Sequence, residues 1–133
     1  MILVDSCVVI DVLENDRNWA DWSQAQLETW GARGPLLINA VIYAELAAYA
    51  ASKESLEAEI VAAGLALREL PRDALFLAGR AHAAYRGRGG TRAGVLADFL
   101  VGAHAAVLQI PILTRDTGRF RTYFPTIELV SPD

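Results

Sequence analysis

Apolar residues are spaced along the chain in two ways, as short unbroken runs and as longer stripes with helical period. Met1–Val4 is an unbroken run that stops at Asp5. A run so short, with no polar face, predicts a strand buried on both sides of a parallel sheet. Leu36–Ile38 reads the same way, as does Ile112–Thr114 after Pro111, and Ile127–Val130 predicts a last strand. Between these runs the period turns helical. Ser6 opens a short helix to Leu13, and Asn15–Asp16 marks a turn. Further helices are predicted over 19–32, ending at Gly34–Pro35; over 40–51, capped by Asn39; from Ser52 to about Leu67; from Pro71 to Tyr85; and over 94–109. A helical turn is expected near Arg119–Phe124, and the Arg/Gly segment Arg86–Arg92 is the expected flexible loop. On the 94–109 helix, Leu96, Leu100, Ala103 and Val107 form the predicted core stripe. Asp98 falls on a neighbouring face with Gly102 and Ala105, whose small size leaves room above a carboxylate. Trp19, Trp22, Gln26 and Trp30 share one stripe, for which core packing is the default and an interface the alternative.

Short apolar strands alternating with helices predict an α/β fold, a three-layer sandwich with a mostly parallel central sheet flanked by helices. The 133 residues suit a single domain, 1–133, with a core that needs no disulfide or structural metal. Composition agrees, since 53% hydrophobic and 21% charged residues describe a globular chain. The lone Cys7 excludes an internal disulfide and a Cys-based zinc cluster, so a reducing, cytoplasmic setting is expected. Residues 1–13 carry Asp5 and Asp11 without a basic leader, and 93–113 are interrupted by Asp98, His104 and Pro111. Neither stretch is expected to enter a membrane. The net charge of −4 argues against broad coating with nucleic acid. Its distribution qualifies that. Residues 1–60 hold ten acids and three bases, whereas 61–133 hold six acids and nine bases. The basic surface is thus local, around Arg86, Arg88 and Arg92 and around Arg115, Arg119 and Arg121.

Ligand sites in such folds form beyond the carboxyl ends of the strands. Asp5 directly follows the first strand, and Asp116 lies just past the Ile112–Leu113 core. Glu45 and Asp98 sit in the first turns of helices that begin at the same rim. Three of these acids have apolar neighbours, in MILVDSCVVI, NAVIYAELAAYAA and VLADFLVGAHAAV. Any one alone reads equally well as a cap or half of an ion pair. Together they repel one another unless a cation holds them. An oxygen-only donor set without His or Cys suits Mg²⁺ or Mn²⁺. Asp11, six residues beyond Asp5, is expected to face away as a surface or helix-end residue. His82 and His104 read as packing or surface residues, and Cys7 as a small packed side chain, because no arginine stands at Leu13 to complete a phosphatase motif.

The segments VDSCVVIDVL, NAVIYAEL, ADFLVGAHA and ILTRDTGRF resemble, in order and spacing, the blocks of PIN-domain ribonucleases, and most of all the VapC toxins of toxin–antitoxin modules. The resemblance implies that Asp5, Glu45, Asp98 and Asp116 are catalytic, with Asp5, Asp98 and Asp116 binding metal and Ser6 and Thr114 in support. It implies a Mg²⁺-dependent endoribonuclease, with Mn²⁺ as a substitute. The expected partners are an RNA substrate, a cognate antitoxin and a second copy of the chain, with operator DNA reached only through the antitoxin. Where some relatives place a further acid after the last aspartate, this chain has Thr117, Gly118 and Arg119, so it lacks that acid for a second metal. Arg86, Arg88, Arg92, Arg115 and Arg119 are the candidate RNA contacts, and for the arginines around Asp116 an ion pair with the acids is the alternative. A different class of function, a regulatory partner that binds operator DNA with its antitoxin and has little catalysis of its own, fits the same resemblance.

Overall fold

The computed structural model describes residues 1–132. Five strands form one sheet: β1 (Ile2–Val4), β2 (Leu36–Ile38), β3 (Leu65–Leu67), β4 (Ile112–Leu113) and β5 (Leu129–Val130). Their order is β3-β2-β1-β4-β5, and every pairing is parallel. The predicted mostly parallel sheet is thus parallel throughout. β1 lies at its centre, with Leu3 in register with Leu37 on one side and Ile112 on the other. Ile2, Leu3 and Val4 are fully buried, as an unbroken apolar run requires. The order reverses at β1, because the chain builds outward through β2 and β3 and then returns to place β4 on β1's free side. In an open α/β sheet this reversal opens a crevice at the strands' carboxyl ends.

The helices are α1 (Ser6–Leu13), α2 (Ala20–Gly31), α3 (Ala40–Ala47), α4 (Lys53–Ala62), α5 (Arg72–Gly87), α6 (Val95–Leu108) and the short α7 (Gly118–Arg121). Asn39 caps α3 as predicted, its Oδ1 accepting the Ile42 N–H at 3.0 Å. Ser52 caps α4 through a reciprocal pair of hydrogen bonds with Ser55. The main core joins the sheet to α1, α2, α3 and α4 and to one side of α6. A second core lies between α5, α6 and the segment around Phe124. No helix among the described residues is long and apolar enough to cross a membrane.

Four expectations are corrected. The predicted helix from Ser52 to Leu67 ends at Ala62, and β3 follows. Gly64, at φ +71°, breaks the helix in a conformation that glycine adopts without strain. β3 is an edge strand that buries only Leu65, so it lacks the apolar run that marks the inner strands. On α6, Ala103 is buried and Leu100 and Val107 pack against the second core as predicted, but Leu96 is 43% exposed, and Val95 and Phe99 are buried in its stead. Gly102 leaves no room above a carboxylate, because the Phe124 ring fills the space and a Cβ there would lie 2.4 Å from it. The Arg/Gly loop starts later than predicted, since α5 runs through Arg86 to Gly87. The Tyr85 hydroxyl then accepts the Arg92 N–H at 2.9 Å.

Candidate active site

Asp5 ends β1 and caps α1, and it is fully buried. Its Oδ1 accepts the Ser6 N–H at 2.9 Å. Its Oδ2 accepts the Thr114 hydroxyl at 2.8 Å, which ties the end of β1 to the end of β4. The start of α1 adds the favourable end of a helix dipole to this buried anion. Thr114 Oγ1 also accepts the Asp116 N–H at 3.0 Å, so one hydroxyl links Asp5 to the backbone of the next segment.

Asp98 reaches the crevice from the first turn of α6, with its side chain 14% exposed. Arg119, on α7, joins it to Asp5. The Arg119 Nη1–H donates to Asp5 Oδ2 at 2.9 Å, its Nε–H donates to Asp98 Oδ1 at 2.8 Å, and its Nη2 also contacts Asp98 Oδ1. Burial works against the Arg119 charge, but Asp5 and then Asp98 outweigh it, and the guanidinium is held more firmly charged than usual. Phe120, fully buried beside Arg119, anchors α7 in the core and so sets where the guanidinium starts.

Glu45 comes from α3, half-buried, and its Oε1 accepts the Ser6 hydroxyl at 3.0 Å. Its pKa is raised, first by burial and then by the negative charges of Asp5 and Asp98, against the opposing Ser6 hydrogen bond and Arg119. Sequence position thus brings Asp5, Glu45 and Asp98 into one electrostatic cluster. Asp116 differs. It is exposed, its carboxylate makes no hydrogen bond or ion pair among the described residues, and only its backbone N–H joins the network.

The arginines divide by what holds them. Arg92 is 71% exposed and 3.6 Å from Asp98 Oδ2. Arg88 lies over the Tyr123 ring, and Arg86 is exposed on α5. Arg115 is committed elsewhere. Its Nε–H and Nη2–H donate to the two oxygens of Asp11 at 2.7 and 2.8 Å, and Trp19 stacks on it. Asp11 is therefore not the surface residue expected from its spacing. It is 2% exposed, and Ser23 completes its shell at 2.7 Å. Nothing local in the sequence signals this, since Arg115 lies 104 residues away. For Arg119 the ion pair with the acids, the alternative read from the sequence, is the one formed, and it falls on Asp5 and Asp98.

Cys7 Sγ lies 3.5 Å from Asp5 Oδ2. Burial, then Asp5, pushes its pKa up to about 11, so it stays a protonated, packed thiol. His104 is fully buried, and its Nδ1 meets the Asn39 amide nitrogen at 3.0 Å. The tryptophans of α2 are half-buried against the main core, with Ser23 and Leu27 as the buried residues of that helix.

The arrangement has a clear chemical character. Hard oxygen donors from separate elements surround one cation, the Arg119 guanidinium. As they stand, no three acid, imidazole or thiol side chains among the described residues converge closely enough to hold a metal. The donor chemistry nonetheless fits Mg²⁺ or Mn²⁺, because the cluster is oxygen-only, anionic in excess and already built around a positive charge.

The fold and this crevice define a class. The PIN domain model matches residues 2–124, and the chain belongs to the PIN domain family. No curated protein matches it. Among solved structures, the chain is similar to one in VapBC2 from Rickettsia felis bound to a promoter DNA fragment, with TM-score 0.72, 17% identity and 97% of each chain covered. It is similar to one in VapBC-1 from nontypeable Haemophilus influenzae, with TM-score 0.70, 16% identity and 98% of each chain covered. It is likewise similar to one in FitAcB from Neisseria gonorrhoeae, with TM-score 0.69, 20% identity, and 99% of this chain and 98% of that one covered.

Proposed function

We propose that this chain is a divalent-metal-dependent endoribonuclease of the VapC type, the toxin of a toxin–antitoxin module. The observation that carries this reading is the gathering of Asp5, Glu45 and Asp98 around a single cation at the point where the strand order reverses. The PIN family match supports it, as do the similar chains in the VapBC and FitAcB complexes. On the same reading the 133 residues act as one domain in the cytoplasm, as a homodimer, silenced by a cognate antitoxin through which operator DNA is bound.

Asp5 and Asp98 would hold Mg²⁺ or Mn²⁺, with Asp116 joining from the rim. Such an ion supplies charge neutralisation at the phosphodiester and makes water acidic enough to attack near neutral pH. Thr114 and the Ser6 N–H fix both oxygens of Asp5, so its carboxylate keeps one orientation. Glu45 is the proton acceptor or water-orienting group, because its raised pKa brings it nearer the working range of a general base. The Ser6 hydroxyl holds one Glu45 oxygen and leaves the other free for water. Arg92, exposed beside Asp98, and Arg88, exposed over the Tyr123 ring, are the basic groups for the RNA backbone.

The test is digestion of structured RNA by the isolated chain with Mg²⁺ or Mn²⁺. Asp98→Asn and Asp5→Ala should each cut cleavage by more than about a hundredfold while circular dichroism shows a folded protein. Equal cleavage by wild type and variants, or full activity in excess EDTA, defeats the reading. Operator DNA binding that needs the partner, together with an inert isolated chain, would favour the purely regulatory role.

A further inference from the structure

We propose that Arg119 is an internal competitor for the metal, holding the acid cluster together until a divalent ion displaces it. The proposal rests on the metal-dependent reading above. Asp5 is fully buried, and Arg119 is its only ion-pair partner among the described residues. A buried carboxylate without a counter-charge is strongly destabilising, so the metal-free protein needs this guanidinium. The contacts are specific. One fork of Arg119 reaches Asp5 Oδ2, and its Nε–H and Nη2–H share Asp98 Oδ1. These oxygens belong to the two carboxylates best placed to ligate a metal. A dication and a guanidinium cannot both take those lone pairs, because they compete for the same acceptors and repel each other.

The exchange is a side-chain event. Phe120 fixes the backbone of α7 in the core, and the Arg119 side chain, 15% exposed, lies at the border of solvent. Its flexible stem lets the guanidinium leave while α7 stays in place. Apparent metal affinity is then lowered in proportion to how rarely Arg119 is out of the site. By reciprocity, bound metal weakens the hold of Arg119 on Asp5 and Asp98 by the same factor. Arg115, four residues earlier, is locked onto Asp11 and offers no such exchange.

Calorimetric titration of Mn²⁺ into wild type, Arg119→Gln and Arg119→Lys tests this. Arg119→Gln should bind Mn²⁺ roughly tenfold more tightly than wild type, with Arg119→Lys between them. In EDTA, Arg119→Gln should melt at a lower temperature than wild type, and Mn²⁺ should raise its midpoint by more than it raises that of wild type. If wild type binds Mn²⁺ and Arg119→Gln binds it no more tightly, the competition is refuted and the metal site stands. If neither binds, both fall. Should Arg119→Gln fail to fold in EDTA, the Arg119→Lys titration decides alone, and an affinity equal to wild type refutes the proposal.

Discussion

Two carboxylate–arginine clusters lie along the same helix and draw on the same downstream segment. Asp5 stands at the start of α1 and Asp11 near its end, while Arg115 and Arg119 both follow β4. Burial does not separate them, since Asp5 and Asp11 are 0% and 2% exposed. Their charge balance does. Asp11 has one arginine in a two-pronged grip, the Ser23 hydroxyl and a stacked Trp19 over the guanidinium, so acid and base match. Around Arg119 stand Asp5 and Asp98 in contact and Glu45 nearby, and among the described residues the exposed Arg92 is the one further base paired with these acids. A matched pair holds shape and asks for nothing more. An excess of acid around one base persists in a buried crevice when another cation has a place there.

The sharpest way to break this comparison is to remove one arginine from each cluster. Arg115→Gln leaves Asp11 buried without its counter-charge and should lower stability by about 3 kcal/mol, read from urea denaturation. Mn²⁺ should not restore it, because among the described residues only one carboxylate, Asp11, is in contact with that arginine, where Arg119 touches two. Arg119→Gln should instead be rescued by Mn²⁺. Equal rescue of both variants would erase the distinction between a closed pair and an open site.

The contrast also explains what was legible in the sequence. Asp5, Glu45 and Asp98 stood out because each interrupts apolar residues next to a strand end or helix start, a local pattern. β1, β2 and β4 stood out for the same reason, as runs buried on both faces. Asp11 interrupts apolar residues too, yet its partners come from α2 and from beyond β4, contacts that no spacing within α1 encodes. Asp116 was placed correctly beside β4 by the backbone, but its side chain points to solvent, an orientation set by the turn after Thr114. β3 was hidden because an edge strand with one buried residue has the same composition as the end of a helix.

A smaller effect tests whether the acid cluster depends on the second core as well as on the sheet. Gly102 lies one turn beyond Asp98 on α6, where Phe124 occupies the space of a side chain. Gly102→Ala would ordinarily favour a helix by about 1 kcal/mol. Here the clash should win, lowering stability by about 1–3 kcal/mol in thermal or urea unfolding. Because α6 carries Asp98 and Phe124 follows α7, the repacking should also reduce RNA cleavage several-fold. A variant more stable than wild type would show that the ring moves aside freely.

The smallest effect concerns the link between the helices that carry Glu45 and Asp98. Asn39 caps α3 with its Oδ1, so its amide nitrogen faces His104 on α6. His104 Nδ1 must then accept, which puts the ring proton on Nε2, a buried atom with no partner among the described residues. Burial, then Arg68, lowers the His104 pKa below its ordinary 6.5. The unfolded chain therefore binds this proton more readily than the folded one. Stability should be full above pH 6.5 and should fall as pH drops below that value, until the folded-state pKa is passed. Glu45 works in the opposite sense over a more acidic window, because its raised pKa makes the fold favour the protonated acid above the ordinary 4.5. The difference between wild type and His104→Gln isolates the histidine, since glutamine still accepts from Asn39 and cannot charge. Urea midpoints of His104→Gln should fall less than those of wild type as pH is lowered from neutrality. Parallel profiles would mean that His104 does not carry the acid sensitivity of this α3–α6 contact.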